Sequence, residues 1–243
     1  SNCSLLKRLI ANIFFIFVST FFQPFSFRGR KPKTIVMKLI KSLSAVSCLF
    51  LLLNGYSQSP GSGYAIDFDG SNDKVTIPYT SAISGLTTEL TIEFWVKPTS
   101  TAIAASYAGL VCKYYTSADA SNSFVCDMQS GVFKFMLRES DNTEVWLNTS
   151  YTATADTWYH VAFTADGSNL KAYINGVQKG SSVSYDGTIE QASRITTIGT
   201  YRNDDTWGVA DVTMDEVRIW KKGLSQTTIR DWMCRKVTAS HTN

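Results

Sequence analysis

Residues 158–180, WYHVAFTADGSNLKAYINGVQKG, constrain the fold more than any other stretch of the chain. Tyr159, Val161 and Phe163 alternate with Trp158, His160 and Ala162. After Asp166-Gly167 the alternation resumes, with Leu170, Ala172 and Ile174 set against Lys171 and Tyr173. A period of two puts each apolar set on one face of a strand. Asp-Gly tolerates positive φ and suits the type I′ turn whose twist matches a hairpin. A turn centred on Asp166-Gly167 predicts Phe163 opposite Leu170, Val161 opposite Ala172 and Tyr159 opposite Ile174. Asn175-Gly176 repeats the device and opens a third strand. The motif demands an antiparallel sheet with one buried face, and by itself it implies no chemistry.

The rest of the chain supplies similar pieces. Strands are expected at 64–69, 74–77, 90–97, 110–115, 124–128, 132–138, 144–148, 194–198 and 213–220, separated by Gly, Asn, Asp and Ser clusters. In 90–97, Ile92, Phe94 and Val96 take one face and Glu93 and Trp95 the other. Short strands at this spacing argue for an all-β sandwich rather than a parallel α/β sheet. Only 225–233 reads as helix, with Ser225 as N-cap. The longest loops, 99–108 and 116–123, are rich in Ser, Ala, Asn and Thr.

Ahead of this body stands a leader. Met37 opens a basic MKLIK segment, then the apolar SLSAVSCLFLLL, then a small-x-small site at Gly55-Tyr56-Ser57. That is the layout of a secretory signal peptide over 37–57. Its apolar run is shorter than the roughly 20 residues a membrane helix needs, so no membrane insertion of the mature domain is expected. Residues 1–36 read as a non-native upstream extension, the alternative being a genuine N-terminal membrane segment; 58–63 read as a linker, and 234–243 as the start of a further C-terminal region. The net charge of +3 misleads, because residues 1–58 hold eight basic side chains and no acidic one. The remainder carries 15 Lys and Arg against 20 Asp and Glu, a net −5. An acidic body argues against nucleic acid as a partner, since phosphate binding needs a basic footprint.

Five segments taken together, AIDFDGSNDKVTIP, ELTIEFWVKP, GLVCKY, the 158–180 stretch and MDEVRIWKKGLSQTTIRD, resemble laminin-G-like domains of the concanavalin A-like lectin/glucanase superfamily. The resemblance covers 64–233 and implies a two-sheet antiparallel jelly-roll sandwich. It further implies a mostly non-catalytic module, secreted or at the cell surface, that binds a glycan or an extracellular protein. The leader and tail resemble those of secreted surface proteins of Bacteroidetes-type bacteria. The alternatives are an accessory carbohydrate-binding domain of a larger secreted glycoside hydrolase and a glucanase-like hydrolase.

The residues set limits on that chemistry. Retaining glycosidases need two carboxylates about 5 Å apart across the scissile bond. The superfamily's enzymes carry them as E-x-D-x-x-E on one strand, a spacing missing here. Glu93 stands alone on its strand, and Asp215-Glu216 are adjacent, so in a regular strand they point to opposite faces. His160 is expected opposite Tyr173, away from the core, as a sheet-face histidine with a local hydrogen bond. The resemblance also implies a structural calcium ion between the first and last strands, at positions matching Asp69 and Asp215. The alternative for Asp69 is that it caps its own turn. Pairing Tyr115 with Ser123 would set Cys112 opposite Cys126, a cross-strand disulfide suited to an exported protein, against two buried thiols. Sugars have apolar faces edged by hydroxyls, so flat aromatics with planar polar groups are the ligand candidates. Tyr107, Tyr114, Tyr115, Tyr201, Arg202, Asp204 and Trp207, in or near loops, supply those types; the alternative is that they pack the loops onto the sheets. Trp95, Trp158 and Trp220 belong to strands and read as structural.

Overall fold

The computed structural model describes residues 64–80, 85–115, 122–202, 207–235 and 237. The leader, the upstream extension, the linker, Asp204 and most of the tail lie outside the described residues. The strands are β1 (Ile66–Asp69), β2 (Val75–Ile77), β3 (Glu89–Pro98), β4 (Ala108–Lys113), β5 (Phe124–Gln129), β6 (Val132–Arg138), β7 (Glu144–Thr152), β8 (Tyr159–Asp166), β9 (Asn169–Ile174), β10 (Val177–Ser184), β11 (Thr196–Ile198) and β12 (Asp211–Trp220). They form two six-stranded antiparallel sheets, ordered β1-β12-β3-β8-β9-β10 and β2-β11-β4-β5-β6-β7. This is the all-β sandwich expected.

The core between the sheets is built from the alternating sets. Ile92, Phe94 and Val96 face inward, as do Tyr159, Val161, Phe163, Leu170, Ala172 and Ile174. From the opposite sheet come Phe124, Phe133, Phe135 and Leu137. Phe135 stacks on Phe163 at 5.1 Å. Burying a side chain of this size stabilises by about 1.5–3 kcal/mol.

The β8–β9 register differs from expectation by two residues. Phe163 lies opposite Ala172, Val161 opposite Ile174 and Ala165 opposite Leu170. The two central turn residues are therefore Gly167 and Ser168. Gly167 has φ 91°, at the first central position that type II′ reserves for glycine. Asp166 sits just outside the turn and accepts from the amides of Ser168 and Asn169 at 3.2 and 2.8 Å. A shift of two keeps every side chain on its face, so the core set survives. Asn175-Gly176 makes the expected two-residue turn, with φ of 51° and 72° and Val177 opposite Ile174.

Among the described residues, two helices complete the fold. Helix α1 (Ser100–Ala104) falls in a stretch read as loop; Thr99 caps it by accepting from the Ala102 amide. Helix α2 (Gln226–Trp232) is the expected one, capped by Ser225. It packs Ile229 on Ala162 and Tyr173, the outward face of the first sheet.

Candidate functional site

Each sheet has an outward face, and the side chains with chemistry divide between them. On the first sheet, β3 sends Glu93 and Trp95 outward and β8 sends His160. Glu93 lies opposite Arg218 on β12, and Trp95 opposite His160 on β8. The expectation that His160 faces Tyr173 thus fails with the register; Ala162 takes that place. The Glu93 carboxylate is enclosed. Its Oε1 accepts from Arg218 Nη1 at 3.1 Å and Trp220 Nε1 at 3.0 Å. Its Oε2 lies 3.5 Å from His160 Nε2. Burial pushes the Glu93 carboxyl up, but His160, Arg218 and Trp220 outweigh it and leave the group below the usual carboxylate range.

A bulge makes this cluster. Two residues, Glu216 and Val217, stand where β3 has only Phe94, and Glu216 takes φ 51°. The extra residue turns Arg218 outward and Val217 inward. The simple alternation expected at Asp215-Glu216 is interrupted there. The strap after α2 then closes the face. Trp95 Nε1 donates to the Met233 carbonyl at 2.8 Å, and Arg218 donates to the carbonyls of Trp232 and Arg235. Trp95 and His160 are structural residues of a covered face.

The second sheet carries the aromatic candidates. Tyr201 is the centre. Its ring meets Tyr107 at 6.1 Å, Tyr114 at 5.7 Å and Trp207 at 4.9 Å, all edge-on. Tyr107 and Trp207 lie 5.1 Å apart with planes tilted by 35°, and the Arg202 guanidinium sits 4.6 Å over the Trp207 ring. Tyr201 is 2% exposed, whereas Tyr107 and Trp207 are 44% and 40% exposed. The outcome is a platform of two open rings on a buried third. Tyr115 is not part of it: its ring carries the Arg194 guanidinium at 4.7 Å.

Gly109 places the platform. On β4 it lies opposite Asp127 and faces outward, and a Cβ there would overlap the backbone of Thr200 and Tyr201. The chain after β11 therefore rests directly on the sheet, with the Gly109 amide donating to the Gly208 carbonyl at 2.8 Å. Beneath it, the Tyr201 hydroxyl donates to Asp127 Oδ2. Gln129 Nε2 donates to the same oxygen at 2.7 Å, and Lys134 Nζ donates to Gln129 Oε1 at 2.7 Å. Asp127 Oδ1 is buried without a hydrogen bond. Burial pushes the Asp127 carboxyl up to about 6, against the lowering pull of Tyr201, Gln129 and Lys134. Burial and the Asp127 charge push the Tyr201 phenol far upward, so it stays the donor. Asp127 was not among the sequence candidates. Its signal was a lone carboxylate inside the apolar run FVCDM, where a buried charge needs a partner.

Two expectations are corrected. Cys112 lies opposite Val125, and Cys126 opposite Val111. With Lys113 opposite Phe124 at the loop end of the hairpin, the register past both cysteines is one residue from that needed for a bridge, which puts the two sulfurs on opposite faces. Cys126 is in the core and Cys112 packs under Tyr201; both are free thiols. The Asp69–Asp215 pair is also separated. Asp69 lies opposite Asp211, so Asp215 is four residues further along β12, roughly 13 Å away at strand rise. Calcium ligands stand about 2.3–2.6 Å from their ion, so these two carboxylates do not fit a shared one. Asp69 instead accepts from the Ser71 amide at 2.8 Å, capping its own turn. Among the described residues, no three His, Cys, Asp or Glu side chains gather as a metal site.

Comparison with known proteins bears on the fold. A laminin G family model described as the concanavalin A-like lectin/glucanases superfamily matches residues 69–230. No curated protein matches the chain. Among solved structures, the botulinum neurotoxin serotype D ligand binding domain in complex with N-acetylneuraminic acid is similar, with TM-score 0.54 and 17% identity over 71% of this chain and 43% of that chain. The receptor binding domain of the botulinum neurotoxin C/D mosaic serotype is similar too, with TM-score 0.53 and 18% identity over 73% of this chain and 44% of that chain. The chain thus spans less than half the length of these structures, and the likeness is one of fold.

Proposed function

Because this chain belongs to the laminin G family of the concanavalin A-like lectin/glucanases superfamily, we propose that it is a non-catalytic binding module. Its ligand is a glycan, held on the Tyr107–Trp207 platform. The observation that carries this reading is the pair of open rings on the buried Tyr201, with Arg202 at their edge. The C–H groups of a pyranose carry partial positive charge and pack on the negative π-face of an aromatic ring. The guanidinium offers planar donors to hydroxyls or a carboxylate. A neurotoxin domain of the same fold holds N-acetylneuraminic acid, which supports a sugar as ligand.

Hydrolysis is disfavoured by the state of Glu93. It is fully buried, tied to Arg218 and Trp220, and covered by the strap. We read the 37–57 leader as an export signal, which supports a module that is secreted or at the cell surface. No helix among the described residues is long and apolar enough to cross a membrane.

A glycan array probed with the wild type and Trp207→Ala tests the proposal. A defined glycan class should bind the wild type and lose most of its signal in the variant. A blank wild-type array would remove the glycan reading and leave a protein partner.

A further inference from the structure

The platform stands on a single buried carboxylate. Tyr201 touches Tyr107, Tyr114 and Trp207 and is fixed below by its hydroxyl bond to Asp127. We infer that Asp127 is a positioning residue of the binding site, whose ionised carboxylate holds Tyr201, and through it the rings of Tyr107 and Trp207, in the ligand-ready arrangement. The inference rests on the platform being the binding surface.

The geometry makes the hold dependent on charge. An ionised Asp127 can only accept, so the phenol must donate, and the bond is charge-assisted. A protonated Asp127 loses that assistance, and either group can then donate, so the phenol is no longer held in one orientation. The titratable groups that act on Asp127 are Tyr201 from the chain after β11, Lys134 from β6 and Cys112 from β4, with Cys126 next to it on β5 turned into the core. Burial keeps both thiols neutral, and the phenol stays protonated. Asp127 is then the group among these that changes charge in mildly acidic solution, at about 6.

Site order and global stability should therefore move in opposite directions. The ionised carboxylate grips Tyr201 but costs the fold, because Oδ1 is buried without a hydrogen bond. Acidification relieves the fold and loosens the platform.

The test needs no ligand. The fluorescence of Trp207, taken as wild type minus Trp207→Phe, is followed from pH 8 to pH 4.5. It should show one transition near pH 6, in a range where the protein still melts cooperatively. Asp127→Asn should abolish the transition. Tyr201→Phe, which keeps the ring and removes the hydroxyl, should abolish it as well and decides the matter if the asparagine variant does not fold. A flat wild-type signal, or a transition that persists in Tyr201→Phe, overturns the inference. A flat signal beside a positive glycan array overturns it alone. A blank array beside a clear transition overturns the platform reading on which it rests.

Discussion

At the scale of single residues, two buried carboxylates set the pH response with opposite signs. Asp127 is raised from 3.8 to about 6, so between those values the folded state binds more protons than the unfolded one. Stability is then lost as pH rises through 6, by up to about 3 kcal/mol. Glu93 is lowered below its ordinary 4.5; it contributes stability above that value and loses it as pH falls through the folded one. The melting midpoint should climb as pH falls from 7.5 to about 5 and drop again below about 4.5. Asp127→Asn should flatten the first limb and leave the second, and a first limb unchanged in this variant would contradict the assignment. The cysteines give a second check. Alkylation of the denatured protein without reductant should modify both Cys112 and Cys126, and a mass showing a bridge between them would contradict the structure. That error in reading the sequence has a plain cause. Strand composition shows which residues alternate, but the pairing at the loop end of the hairpin, Lys113 opposite Phe124, leaves no mark in it, and one residue of slip reverses a face.

At the scale of elements, the two bulges do the functional placing. The one in β4 leaves Gly109 outward, where the chain after β11 can lie on it. Gly109→Ala should therefore cost at least 1–3 kcal/mol by overpacking and displace Tyr201, seen as altered near-ultraviolet aromatic dichroism with the far-ultraviolet β signal retained. The bulge in β12 turns Arg218 toward Glu93 and the strap. Arg218→Met should destabilise by about 3–5 kcal/mol, because it strands a buried carboxylate. It should also open the segment after α2 to protease before the sandwich unfolds. Equal protease resistance in the variant would show that Arg218 does not hold the strap. The turns were more legible than the bulges. Asn175-Gly176 behaves as its chemistry predicts, while Asp166 caps a turn it was expected to occupy. Because that error was two residues, Phe163 and Leu170 still reach the core.

At the scale of the whole molecule, the sandwich was readable because alternation and turn residues recur along the entire body. The site was only half readable. Tyr107, Tyr201, Arg202 and Trp207 were named by residue type and loop position, and the fold does gather them. Tyr115 falls outside the group, and Asp127 was missed because its partner Tyr201 is 74 residues away in sequence. Pairings over that distance depend on how the two sheets close, which local pattern does not encode. The division of the faces is the larger consequence. The first sheet spends its charged and indole groups on holding its own strap, and the second leaves two aromatic rings open beside an arginine. That contrast is why we propose ligand contact on the second sheet. Its most direct test is calorimetric titration of the wild type and Trp207→Ala with the strongest glycan found on the array. The platform predicts at least about tenfold weaker binding in the variant, on the order of 1.4 kcal/mol, with cooperative melting retained; equal affinity in the two proteins would contradict it.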